Sequence, residues 1–267
     1  MKEDVAEQYK TPANLNARAN LHARYSTNPV GWLPWVFGHI RERLPENARI
    51  LEVGCGPGGL WAENKNEMPA GWELTLTDFS EGMIARAREA MDEAGLDAAC
   101  IQADVQELPF DADTFDAAVA NHMLYHVPDI DRGLTEIKRV LKPEGTLFAA
   151  TNGMDHMKEL FDLMNGFRPG VWVNEERPMA RFSLQNGGDM IGRYFTSVRR
   201  IEYTDSLLID EAAPIAEYVS SMAGMGVVFE SIIRKRGDFQ SFLEALIREK
   251  GSVCISKQVG LFIARAS

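Results

Sequence analysis

The chain has 267 residues, 45% of them hydrophobic and 25% charged, a composition that fits a globular protein and excludes a disordered or fibrous one. A formal net charge of −11 argues against nucleic acid as a partner, because phosphate binding draws on dense Lys and Arg. No apolar run reaches the roughly 18 residues of a spanning helix, and Met1-Lys2-Glu3-Asp4 lacks the apolar stretch of a secretory signal, so no membrane span is expected.

Cys55, Cys100 and Cys254 are widely spaced and form no Cys-x-x-Cys pattern, so neither a metal site nor a disulfide framework is expected, and a reducing cytoplasm fits. The short basic runs Arg199-Arg200 and Arg234-Lys235-Arg236 read as solvated faces.

In chain order, residues 12–45 carry two helical patterns, the second starting at Asn28-Pro29 with Trp32, Trp35, Val36 and Ile40 on one side. Arg18, His22 and Tyr25 fall at i, i+4 and i+7 on one face of the first. The run from Ile50 to Gly59 is an apolar strand breaking into glycines and opening a helix. Its Gly54, Gly56 and Gly59 match the nucleotide-binding spacing Gly-x-Gly-x-x-Gly, which does not by itself choose a nucleotide.

From Arg49 to Thr151 apolar runs alternate with helical periods, as in a parallel sheet covered by helices on both faces. The expected strands are 49–54, 73–78, 98–103, 115–121 and 145–151. Ser80 caps a helix with the stripe Met83, Ile84, Ala87, Met91 and Ala94, and Asp129 caps one that buries Ile130, Leu134, Ile137, Val140 and Leu141. The break Lys142-Pro143-Glu144-Gly145 ends the latter. Beyond the core, 155–167 and 183–195 read as helices, 198–208 and 253–265 as strands, and 211–249 as a mostly helical insertion between those strands.

Glu52 lies inside an apolar strand, where a carboxylate needs a polar partner. Asp78 ends the second strand twenty residues after Gly58, a position where a carboxylate accepts from ribose hydroxyls, with Phe79 beside it as an adenine wall. After the third strand, Asp104 can accept from an exocyclic adenine amine while the Val105 amide serves a ring nitrogen.

These residues resemble the class I S-adenosylmethionine-dependent methyltransferases, particularly the small-molecule group with type 11 or type 25 domains that includes quinone-biosynthesis C-methyltransferases. The resemblance runs through Leu51 to Gly58, Leu76 to Met83, Ala103 to Phe110, Phe115-Asp116 and Arg139 to Gly145, about a hundred residues in all. It implies a Rossmann-like α/β fold with a seven-stranded, mostly parallel sheet whose last strand is antiparallel. It also implies S-adenosylmethionine as cofactor: Gly54, Gly56 and Gly58 at its methionine part, Glu52 alongside, Asp78 on ribose, Asp104 and Val105 on adenine, Phe79 and Met83 packed beside it, and Asn121 near the sulfonium.

The implied partner is a small-molecule methyl acceptor with an O, N or C nucleophile, in a monomer or a homodimer. His126, in the segment after the fourth strand, is the expected base or acceptor hydrogen bonder, ahead of His122 and Tyr125. By the same resemblance residues 1–45 form a helical lid, with Tyr25 over the cofactor, and 46–267 the methyltransferase domain; 211–249 departs from the family plan, in which a short hairpin joins the last two strands, and is expected to be a cap over the acceptor site. Met222, Met225, Phe229, Ile232, Phe239, Phe242 and Leu246 of that cap either line a pocket or pack a core. Two alternatives share the glycine pattern, an NAD(P)-dependent oxidoreductase and a nonenzymatic cofactor-binding module.

Overall fold

The computed structural model describes residues 12–170, 180–223 and 227–267. Its strands are β1 (Arg49–Val53), β2 (Glu73–Asp78), β3 (Ala98–Gln102), β4 (Phe115–Asn121), β5 (Leu141–Asn152), β6 (Thr196–Ile209) and β7 (Val253–Arg265). The helices are α1 (Pro12–Tyr25), α2 (Trp32–Arg41), α3 (Gly59–Glu63), α4 (Glu81–Ala94), α5 (Ile130–Val140), α6 (Lys158–Phe167), α7 (Gly187–Ile191), α8 (Ala212–Ser220), α9 (Val227–Ile233) and α10 (Arg236–Lys250).

All seven strands join one sheet in the order β3-β2-β1-β4-β5-β7-β6. The pairs among β1 to β5 are parallel, and β7 runs antiparallel to β5. The strand order reverses between β1 and β4, and such a switch point opens a crevice at the carboxyl ends of the strands. Among the described residues no helix is long and apolar enough to cross a membrane.

Two compact units divide the described chain: a sheet unit of 32–154, 180–203 and 259–267, and a helical unit of 12–31, 155–170, 204–223 and 227–258. In the sheet unit, alternation along the strands sends successive residues to opposite faces. Leu51, Val53, Ala118 and Ala120 pack with Leu134 and Ile137 of α5 on one face. Ile50, Leu76, Ala117 and Val119 pack with Phe37 and Ile40 of α2 and Ile84 and Met91 of α4 on the other. The expected caps form, Ser80 accepting from the Met83 N–H and Asp129 from the Arg132 N–H.

Several boundaries move for local reasons. β5 starts at Leu141 rather than 145: Leu141 pairs with Phe115, and the register shifts before Thr146 pairs with Ala117. Lys142-Pro143-Glu144-Gly145 is thus an irregularity within the strand, with Glu144 at φ 64°. α6 starts at Lys158 because Met157 takes φ 56° and its N–H bonds to Ser256. α2 starts at Trp32, after the Asn28 side chain has accepted from the Val30 N–H in a local turn. Of the segment 1–45, residues 1–11 lie outside the described residues, α1 belongs to the helical unit and α2 to the sheet unit.

In the helical unit, Met222, Phe229, Ile232 and Phe239 are buried, and Phe242 and Leu246 pack against them, so these side chains build a core. Met225 lies outside the described residues. Asp205 on β6 organises the polar part of this unit, accepting from Ser26 Oγ, the backbone N–H groups of Thr27 and Asn28, and Lys257 Nζ. Burial pushes its carboxyl up, but the Lys257 and Ser26 hydrogen bonds outweigh that and hold it below the usual 3.8.

Because the folded carboxyl binds its proton less tightly than the unfolded one, its contribution is present above the ordinary carboxylate range and is lost as pH falls through the lower folded value. Asp205→Ala removes the buried carboxylate that Lys257, Ser26 and the Thr27 and Asn28 amides share, and is expected to cost about 3–5 kcal/mol in chemical denaturation. Asp205→Asn should flatten the acid limb of the stability curve, and an unchanged acid midpoint would count against the assignment.

Candidate active site

The turn after β1 takes a left-handed backbone at Gly54, Gly56 and Gly58, with φ of 64°, 55° and 79°. Only glycine adopts such conformations without strain. At Gly54 a side chain is excluded for a second reason, since its Cβ would lie 2.6 Å from Met123 Cβ. At Gly56 a Cβ would meet nothing within 4 Å, so the backbone there borders open space.

Asp78, at the end of β2, holds this turn. Its Oδ2 accepts from the Gly56 N–H at 2.9 Å and its Oδ1 from the Ser80 N–H at 2.8 Å. Burial raises its pKa, with the hydrogen bonds from Ser80 and Gly56 opposing the rise. A carboxylate offers about four acceptor directions, so two backbone bonds leave room for two more.

The polar partner that Glu52 requires is the indole of Trp61, whose Nε1 donates to Oε2 at 2.7 Å. Burial pushes the Glu52 carboxyl up to about 8, the Trp61 bond pulling down and the charge of Asp78 pushing further up. Glu52 is therefore largely protonated at neutral pH. Burial, then Glu52 and Asp78, also push the Cys55 thiol up, which leaves it a poor nucleophile.

Phe79 follows Asp78 with 48% of its surface exposed, uncommon for a side chain of its size. Asp104 accepts from the Gln106 N–H at 3.0 Å and from Gln106 Nε2 at 2.9 Å, which fixes the loop after β3. Val105 is buried by its side chain, and among the described residues its backbone N–H has no acceptor. Met83 is buried in the first turn of α4.

Asn121 ends β4 beside the glycine turn, and its Oδ1 accepts from Trp32 Nε1 at 3.2 Å. An indole nitrogen only donates, so the bond orients the amide and turns Nδ2 away from Trp32. The Trp32 ring also meets Trp35 at 5.3 Å and Tyr203 at 5.4 Å between centroids, and His122, which sits at φ 58°, at 5.1 Å. His126 closes a short 3₁₀ turn, Leu124–His126, its ring 4.5 Å from that of Tyr125. Arg181 clasps this turn by donating to the carbonyls of Val127 and Pro128 at 2.8 and 2.7 Å.

The sheet unit therefore carries Glu52, Gly54, Gly56, Gly58, Asp78, Phe79, Met83, Asp104, Val105, Asn121 and His126, while Tyr25 belongs to the helical unit. Tyr25 is 7% exposed, and its hydroxyl has no hydrogen-bond partner among the described residues. It borders a recess of about 430 Å³ with Asn20, Arg24, Pro214 and Glu217. The neighbouring Arg18 donates to Ser221 and the His22 ring meets Tyr218, so this face of α1 packs along α8.

Trp32, Trp61, Gln106 and Arg181 were not singled out as site residues from the sequence. Tryptophans at helical spacing read as core, and only the need of a buried indole N–H for an acceptor hints at more. Gln106 lies two residues from Asp104, the spacing of an Asx turn, whereas Arg181 carries no local signal, since its partners lie more than fifty positions away.

The other blocks noted in the sequence serve as supports. Arg139 binds Glu136 and donates to the carbonyls of Leu108 and Phe110, fixing the loop beyond Val105. Lys142 Nζ donates to Asp116 Oδ1 at 2.8 Å, and Asp116 Oδ2 accepts from the Arg49 N–H. Among the described residues no group of three or more His, Cys, Asp or Glu side chains is placed to hold a metal ion.

Residues 51–149 match the family model described as a methyltransferase domain. The chain is 35% identical over 111 residues to the sterol 4-C-methyltransferase of Caenorhabditis elegans, a match covering 40% of this chain and 32% of that one. It is 34% identical over 128 residues to the malonyl-acyl-carrier protein O-methyltransferase of Enterobacter lignolyticus, covering 45% and 46%. The chain thus spans less than half the length of these curated relatives. Its fold is shared with the crystal structure of an S-adenosylmethionine-dependent methyltransferase from Aquifex aeolicus, at a TM-score of 0.53, 15% identity and coverage of 87% and 89%. Nothing in these likenesses supports the nicotinamide alternative. Residues 51–149 thus carry a methyltransferase domain, set in a fold shared with an S-adenosylmethionine-dependent methyltransferase.

Proposed function

We propose that this protein transfers a methyl group from S-adenosylmethionine to a small-molecule acceptor and leaves S-adenosylhomocysteine. The observation that carries the reading is the Asp78 carboxylate locking Gly56, with open space over that glycine and an exposed Phe79 alongside. These features fit a nucleoside whose ribose meets Asp78 and whose base lies against Phe79. The unbonded Val105 N–H and the oriented Asp104 carboxylate fit the edge of adenine. When bound, the cofactor supplies a methyl group on a positively charged sulfur.

Each chain residue then has a definite task. Gly54, Gly56 and Gly58 admit the methionine part close to the backbone, and Asn121, oriented by Trp32, offers its amide donor beside it. Glu52 faces the same end from the strand. His126 receives a proton from a hydroxyl or acidic-carbon acceptor, or hydrogen-bonds it, from a turn that Arg181 holds in place. Met83 packs beside the base. The acceptor is a small molecule, a reading supported by the sterol in the name of one relative. The reducing cytoplasm is the compartment we assign, supported by three free thiols.

Asp78→Asn keeps the shape but replaces one acceptor oxygen by a donor, and should weaken S-adenosylhomocysteine binding by at least about tenfold in calorimetry. Tight NAD binding without S-adenosylhomocysteine binding would overturn the reading, as would no methylated product from a broad acceptor panel with labelled donor. His126→Gln should lower kcat while leaving the S-adenosylhomocysteine Kd unchanged. A loss in Kd instead would move His126 out of the acceptor role.

Glu52 gives the reading a pH signature. A cation held at the turn favours the ionised carboxylate, so donor affinity should rise with pH through about 8 in the native protein and stay flat in Glu52→Gln. Without ligand the sign is opposite: the folded carboxyl holds its proton to about 8 against 4.5 unfolded, so stability falls as pH rises between those values. Parallel pH profiles for Glu52→Gln and the native protein in both measurements would refute this coupling.

A further inference from the structure

On the sheet unit, a second cavity of about 180 Å³ is lined by Arg43, Thr146, Ser197, Arg199, Ile263, Ala264 and Arg265. It lies at the opposite end of the strands from the cofactor turn. Thr146 pairs with Ala117 near the start of β4 and with Arg265 at the end of β7, whereas the turn follows the carboxyl ends of β1 and β4. Thr146 and Asn152 lie six residue steps apart along β5, about 20 Å of extended chain.

Three guanidinium groups border this cavity and no carboxylate does, in a chain whose net charge is −11. Arg43 is partly engaged, donating to the His39 carbonyl and to the exposed Glu42 carboxylate. Arg265 donates to the Glu144 carbonyl, which leaves its charge unneutralised. Arg199 makes no hydrogen bond or ion pair among the described residues. The groups converge: after burial, the charges of Arg43 and Arg199 depress the pKa of His39, with Glu42 opposing. Ser197 adds a hydroxyl on a strand residue held at φ 53°.

With Glu42 meeting only Arg43 of the three, the charges of Arg199 and Arg265 stay uncompensated and repel one another, and a dianion between them removes that cost while meeting planar donor forks. The volume is below the range that encloses a drug-sized ligand, so it suits a small ion or the phosphate end of a larger molecule. We propose that this cavity binds a phosphate-type dianion, with Arg199 and Arg265 as its principal donors and Arg43 and Ser197 completing the site. The basic pair Arg199-Arg200 thereby gains a role beyond a solvated face: Arg200 pairs with Glu202, while Arg199 serves the cavity.

The test is calorimetry on the full chain with inorganic phosphate and with ribose 5-phosphate, each against chloride at matched ionic strength. The Arg199→Gln/Arg265→Gln double variant is titrated in parallel. Phosphate should bind the native protein and bind the double variant at least about tenfold more weakly, because each arm of a charge-assisted pair contributes substantially. S-adenosylhomocysteine affinity, set at the other end of the strands, should be equal in both proteins and reports that the variant is folded. Binding of inorganic phosphate alone assigns the site to the free ion, and equal or tighter binding of the ester assigns it to phosphorylated metabolites. If neither binds more tightly than chloride, or if a folded double variant binds phosphate as the native protein does, the proposal fails.

Discussion

The two hydrogen bonds from Gly56 and Ser80 to Asp78 are the constraint on which the donor side of this protein rests. A glycine turn with three left-handed residues loses much conformational entropy on folding, which its internal bond from the Gly58 N–H to the Cys55 carbonyl offsets only in part. Asp78 supplies the hold from the neighbouring strand. By accepting from Ser80 as well, it fixes the entry to α4, whose first turn Ser80 then caps. One carboxylate thus sets the spacing of β1, β2 and α4 while keeping acceptor directions unused. Its cost is burial, visible in the raised pKa, which a ligand bonding to the charged form would relieve.

Charge is sorted along the strands in the same sense. Glu52, Asp78 and Asp104 gather at the carboxyl end, bonded respectively to the Trp61 indole, to the Gly56 and Ser80 amides and to Gln106. An apolar strand that carries a neutral, indole-bonded glutamic acid is poised for a positive ligand, since cation binding and deprotonation favour each other. At the amino end the pattern inverts, with Arg43, Arg199 and Arg265 around a cavity free of carboxylates. The Arg43, Arg199 and Arg265 guanidinium groups are therefore held at the end of the strands away from the acidic edge.

How much of this was readable in the chain depends on whether the cause is local. The strands, the caps at Ser80 and Asp129 and the stripes of α4 and α5 follow from periodicity and single side chains, and they form where expected. The start of β5 does not, because a Pro-Glu-Gly sequence reads as a turn until β4 imposes its register. Met157 gives no sign of its left-handed backbone, which a bond to Ser256 in β7 enforces. Glu52 announced its need for a partner, but nothing in the sequence pointed to Trp61. Trp32 was hidden for the converse reason: its ring satisfies a packing pattern, while its N–H orients Asn121 across 89 positions of chain.

The portion of the chain that carries the family pattern, 51–149, holds the donor-side turn and the supports beneath it. Arg139, Glu136, Lys142 and Asp116 touch no position where a ligand is expected, yet they fix the loops and strand starts that present Asp104, Val105 and Asn121. A shared segment of this kind therefore encodes how a donor is held, and does so through packing as much as contact. The helical unit lies wholly outside it, with its own core of Leu21, Ile215, Phe239 and Ile255 and its own buried ion pair at Asp205 and Lys257. An independently packed unit can change its surface without disturbing the glycine turn. The two cores are thus specified by separate stretches of sequence, and a change that repacks one leaves the contacts of the other in place.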